Sequence, residues 1–244
     1  MIVTIRHDVD LRDIKGSLPE SLAGIPMELA LPYRLVDFIE TLDRLGELEE
    51  YIARVGINMI CVHAAQGSLI TDDFMAWARP TQDFAAHLSA RYVVYHPNRT
   101  AKTRRLDMQI IARQHLKELE RAVPGVPVYL ESFSGSDRIY TPEEIVAGPW
   151  PLVLDLSHVD PGRAFALIEA SPGNIGALHV SEVAWFDKYR KQQSHMPAGP
   201  TCEKAFRLLK KKRWDGVMTL EYLPDFHDQM HIDRARIEAE WGNK

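Results

Sequence analysis

Hydrophobic positions along this chain alternate between two periods. Helical spacing, with charged residues between the apolar ones, runs through VDFIETLDRLGELEEYIARVG (36–56), LDMQIIARQHLKELERAVPG (106–125), DPGRAFALIEAS (160–171) and CEKAFRLLKKKRWD (202–215). Between these lie short apolar runs: NMICVH (58–63), YVVYH (92–96), VPVYLE (126–131), PLVLDL (151–156), IGALHV (175–180) and GVMTLE (216–221). Runs of that length and composition predict strands buried on both faces, the kind found in parallel sheets. FMAWARPTQDFAAHLSA (74–90) is also helical in period, and Pro80 is expected to break it in two. TPEEIVAG (141–148) opens with a threonine cap and a proline at the first helical position. IVTIRH (2–7) and PMELAL (26–31) read as two further strands on either side of a polar, broken stretch.

Eight strands alternating with helices, with no run of adjacent strands, predict an all-parallel sheet. Eight such units close a (β/α)8 TIM barrel, the α/β class expected here as a single domain over residues 1–244. The rival is an open, doubly wound sheet, but the Gly-x-Gly-x-x-Gly turn of its commonest nucleotide-binding form is absent.

Composition narrows the function classes. A net charge of -5 gives no global basic field for nucleic acid or an acidic membrane surface, so any anion must be captured locally. Two cysteines, Cys61 and Cys202, are too few for a disulfide framework. The start MIVTIRHDVD lacks the apolar run of a signal peptide, and no stretch approaches a membrane span, so a cytoplasmic setting is expected.

The strand ends carry the chemistry. The six clearest strands finish at His63, His96, Glu131, Asp155, His179 and Glu221, and residues two positions back on the same face, such as Cys61, Val94, Val153 and Ala177, suit a barrel interior. A lone His or Asp after a strand is usually a turn former or cap. Six together at the C-terminal mouth would repel or desolvate one another unless a cation paired with them, and mixed imidazole and carboxylate ligands suit Zn2+, Mn2+ or Fe2+.

The motifs VHAAQGSL, YHPNRT, VYLESFSG, LDLSHV, LHVSEV, SHMPAG and TLE, in that order from Asn58 to Glu221, resemble the strand-end motifs of the xylose isomerase-like TIM barrels, most closely the endonuclease IV branch. The resemblance implies that His63, His96 and Glu131 hold one metal, with Glu131 bridging to a second held by Asp155, His179 and Glu221. It implies a third at His158, Gln193 and His195, but Gln193 stands where the family has an aspartate, and a neutral amide is a poor zinc ligand. Two metals, zinc first among the candidates, are therefore expected. The isomerase and epimerase branch instead uses one metal at positions like Glu131, Asp155, His179 and Glu221, with both glutamates moving protons.

Since His63 and His96 are superfluous to that scheme, the leading expectation is a phosphoesterase with Glu131, Glu221 and His158 in catalytic roles and abasic-site DNA as one candidate substrate. A bridged metal pair would lower the pKa of a bound water to near 7 for attack on phosphorus. Arg99, Lys102, Arg104 and Arg105 after His96, and Lys188, Arg190 and Lys191 after His179, are candidates for binding the anion, against the plainer reading of solvated charge. The alternatives are a one-metal sugar or sugar-phosphate isomerase or epimerase, and a non-catalytic metal-binding barrel. KKKR at 210–213 falls at the opposite end of the barrel, as surface charge. His7 and Glu28 are expected at the ends of the first two strands in cap or surface roles, and Tyr222 and Trp185 as packing.

Overall fold

A computed structural model describes residues 1–97, 105–133, 138–186 and 191–242. The barrel strands are β1 (Ile2–Asp8), β2 (Pro26–Ala30), β3 (Asn58–His63), β4 (Val93–Tyr95), β5 (Val128–Glu131), β6 (Leu152–Asp155) and β7 (Ile175–Val180), followed after a hairpin, β8 (Glu182–Phe186) and β9 (Lys191–Met196), by β10 (Val217–Leu220). Around the closed barrel the order is β1-β10-β7-β6-β5-β4-β3-β2, which makes the fold a (β/α)8 TIM barrel. The helices are α1 (Ile14–Ser17), α2 (Leu35–Ile39), α3 (Leu45–Val55), α4 (Phe74–His87), α5 (Arg105–Ala122), α6 (Pro142–Val146), α7 (Pro161–Ala170), α8 (Pro200–Lys211) and α9 (His227–Gly242). Among the described residues no helix is long and apolar enough to cross a membrane.

The chain packs as two compact units, Met1–Arg6 with Ser132–Ser134 and Pro142–Lys244, and His7–Glu131 with Gly135–Thr141. In the second, β2, β3, β4 and β5 pair in parallel, with Ala30 opposite His63, His63 opposite Val94, and Val94 opposite Tyr129. This register sets the polar strand ends at one rim. In the first, β1 pairs with β10, β10 with β7 and β7 with β6, placing Asp155 opposite His179 and His179 opposite Thr219. Outside β1, most of the barrel-strand residues are buried, as their largely apolar composition demands.

Local chemistry explains where the helices begin and end. Asp160 caps α7 by accepting from the Arg163 amide at 3.1 Å, with Pro161 at the first helical position. Gly56 ends α3 in the left-handed region at φ 76°, its amide bonded to the Ile52 carbonyl. The helix predicted over 36–56 comes in pieces, α2, a 3-10 turn at Leu42–Arg44, and α3. The Thr41 hydroxyl donates to the Asp37 carbonyl at 2.8 Å, competing with continuation of the helix.

Two expectations are corrected. Pro80 does not break its helix: α4 runs through it, because a buried face of Phe74, Trp77, Ala78 and Thr81 holds the helix by packing. Hydroxyls reinforce the turns beside the proline, Thr81 donating to the Trp77 carbonyl at 3.0 Å and Tyr95 to the Ala78 carbonyl at 3.2 Å. The segment after His179, expected as a loop, contains the antiparallel hairpin β8–β9. Beyond the part read from the sequence, His227–Gly242 form α9, which buries Met230, Ile237 and Trp241.

Cys202, near the start of α8, is fully buried and its thiol donates to the Ser181 carbonyl at 3.4 Å. Burial pushes this thiol up to about 12. At pH 8 the group is therefore protonated and inert, and a thiol reagent such as dithionitrobenzoate is expected to label neither Cys202 nor the equally buried Cys61 until the protein is denatured. Rapid labelling of the native protein would contradict the packing of α8.

Candidate metal centre

In the unit containing β2 to β5, three strand ends meet. His63 ends β3, Glu131 ends β5, and His96 follows β4 directly. The Nε2 atoms of His63 and His96 lie 2.9 and 2.6 Å from the same Glu131 oxygen, Oε2, and the two rings stand 4.7 Å apart. All three side chains are buried, and one ligand atom from each falls within 4.8 Å of the others. Nδ1 of His63 sits 3.2 Å from the Ala64 carbonyl, the kind of contact that fixes the orientation of a metal-binding imidazole.

In the other unit, Asp155 ends β6, His179 is the penultimate residue of β7, and Glu221 follows β10. Their ligand atoms also fall within 4.8 Å of one another. Asp155 has no exposure, and its Oδ1 accepts from the Ser157 amide at 2.7 Å and the Ser157 hydroxyl at 2.9 Å. His158 approaches Oδ2 at 3.1 Å and stacks on Phe133, ring centroids 4.2 Å apart. Glu221 is divided between partners: His179 Nδ1 is 3.0 Å from Oε2, while Arg6 is 2.6 Å and His195 3.5 Å from Oε1. Burial alone would raise the pKa of Glu221, but the charge of Arg6, then the hydrogen bond and charge of His179 and the charge of His195, hold it well below the usual carboxylate range.

Both sets suit a divalent ion by donor chemistry, being buried imidazoles and carboxylates at strand ends. His195 comes from β9, which sequence analysis did not foresee, and adopts a left-handed backbone with φ 60°. Its ring meets that of His158 edge-on at 5.2 Å. Among the described residues, the groups whose ligand atoms are close enough to share an ion include neither of these two histidines. Gln193 lies on β9, opposite Ala184.

Glu28 is corrected outright. It sits in the middle of β2, not at its end, with no exposure, and the Cys61 thiol donates to its Oε2 at 3.3 Å. The sequence did carry a signal, a glutamate at the third position of an otherwise apolar run. Its ligand atom and that of His63 also lie within 4.8 Å. His7, near the end of β1, bonds through Nε2 to the Ser17 carbonyl. Arg105 opens α5, exposed, with Nε donating to the Ile139 carbonyl at 3.2 Å. Of the other candidate anion binders, Lys191 opens β9, and Arg99, Lys102, Arg104, Lys188 and Arg190 lie outside the described residues. Tyr222 is a packing residue as expected: buried, it donates to Asp233 at 2.9 Å and accepts from the Ala198 amide.

No protein-family model matches the chain, and no curated protein matches its sequence. Solved structures do match over nearly its whole length. A 3-keto-D-glucoside 4-epimerase from E. coli is 13% identical, with 98% of this chain and 99% of that one covered and a TM-score of 0.66. A D-tagatose 3-epimerase-like protein is 14% identical, covering 99% and 97%, with a TM-score of 0.68. A protein from Thermus thermophilus, soaked with zinc chloride, is 20% identical, covering 98% and 99%, with a TM-score of 0.65. Structures described as xylose isomerase-like, 15% and 13% identical, share the fold. The likeness to the endonuclease IV branch rests on the motifs alone.

Proposed function

We propose that the protein is a metal-dependent sugar isomerase or epimerase. The observation that carries this reading is the run of three neighbouring barrel strands in one unit, β6, β7 and β10, that end at or beside Asp155, His179 and Glu221. One ligand atom from each of the three falls within 4.8 Å of the others, as a single ion requires. The two named epimerase structures add support at the level of fold.

A divalent ion held there would supply Lewis-acid polarisation of a sugar carbonyl. The chain's own groups supply the rest. Asp155, fixed by Ser157, and His179 are ligands with little freedom. Glu131 and Glu221 are the carboxylates available to take a proton from the carbon beside the carbonyl and to return it. His158 stands beside Asp155 as a positioned donor toward a substrate hydroxyl, and the buried strand ends limit the access of water.

A second reading, metal-dependent phosphoester hydrolysis with two ions, is favoured by one observation: two imidazoles converge on a single Glu131 oxygen. Elemental analysis of the purified protein and an assay panel of ketoses, sugar phosphates and an abasic-site duplex separate the two. One equivalent of metal with turnover of a sugar is the expected result. Two equivalents with cleavage of the duplex would replace the isomerase by the hydrolase, and a protein that takes up no Zn2+ or Mn2+ would sink both.

A further inference from the structure

Arg6, in the middle of IVTIRH, belongs to none of the motifs that mark the site. It lies one step beyond the Ile5 to Leu220 register of β1 and β10, which sets its side chain beside Glu221. The guanidinium NH1 is 2.6 Å from Glu221 Oε1, with both side chains 14% exposed. The other oxygen, Oε2, faces His179.

Arg6 and His179 differ in kind, and His195, at 3.5 Å, is the more distant neighbour of Oε1. An imidazole can share a metal with a carboxylate. A guanidinium is charged at every working pH and has no lone pair to give, so it can never become a ligand. Its hold on Oε1 is a charge-assisted hydrogen bond, about twice as strong as a neutral one, and it competes with any other use of that oxygen. Glu131 stands in contrast, because His63 and His96, the two imidazoles on its Oε2, are ligand types.

We propose that Arg6 is a positioning residue that holds Glu221 by Oε1, restricts it to metal ligation through Oε2, and so withdraws it from proton transfer. The inference rests on the metal-dependent isomerase reading and deepens it by removing Glu221 from the candidate proton carriers and leaving it one role, that of a ligand.

Crystal structures of Mn2+-loaded wild type, Arg6→Gln and Arg6→Lys test this without reference to turnover. In the wild type, Oε2 of Glu221 is expected on the ion and Oε1 still on Arg6. In Arg6→Gln, Glu221 is expected to turn and place both oxygens on the ion, and Arg6→Lys, which keeps a cation, should retain the wild-type pose. If Arg6→Gln does not fold, the wild type alone decides. A wild-type Glu221 that leaves Arg6 on Mn2+ binding, or an Arg6→Gln pose identical to wild type, would overturn this inference and leave the metal site standing. A wild type that takes no Mn2+ would overturn both.

Discussion

Glu131→Ala is expected to strip the protein of bound metal and to lower kcat/KM by about 10²- to 10⁴-fold, the contribution of a positioned acid-base group. The side chain is 1% exposed and meets two imidazoles through one oxygen, so no neighbouring water can take its place. Its loss also leaves His63 and His96 without a shared acceptor, and each buried polar group so stranded costs about 1–3 kcal/mol. Glu131→Gln separates the two effects. It preserves shape and folding while removing the charge that a divalent ion needs, so metal content should fall in both variants and thermal stability chiefly in the alanine one. Metal analysis of each, with a melting curve, is the measurement. A Glu131→Ala protein that keeps its metal would mean that the ion sits elsewhere.

Trp77→Ala is expected to be the most damaging change outside the metal centre, costing about 3–5 kcal/mol, the range for truncating a large buried aromatic side chain. Trp77 is 1% exposed in α4, edge-on to Phe74 at 5.3 Å and tilted against Tyr95 at 5.9 Å, and Phe74 in turn stacks on His115 at 5.4 Å. The same ring explains why residue 67 is glycine, since a Cβ there would come within 2.3 Å of it. For a chain of this length the melting temperature should fall by roughly 10 °C, with the metal ligands untouched. A drop of a degree or two in differential scanning calorimetry would show that the cluster repacks.

These two sites were not equally legible in the sequence. The candidate metal centre announced itself because strands buried on both faces rarely carry a charged residue except at their ends, so each His, Asp or Glu that closed an apolar run stood out. The barrel followed from the same runs. Glu28 escaped because PMELAL is too short to show where its strand ends, and a mid-strand glutamate was read as a terminal one. Arg6 escaped because its role depends on β1 lying beside β10, a pairing between opposite ends of the chain. The hairpin was hidden by composition: KQQSHM in β9 has none of the apolar alternation by which strands are recognised. Pro80 misled because local helix rules were overridden by the packing around Trp77.

The junction between β7 and the hairpin has a further consequence. A single residue, Ser181, separates Val180 from Glu182, and it is fully buried with its carbonyl bonded by Cys202. A flap needs a hinge whose dihedrals are free to turn, and none is available at that joint. His195 is thus carried on a stiff outgrowth of the same backbone that carries His179, and loosening that outgrowth would require first prising α8 from the wall.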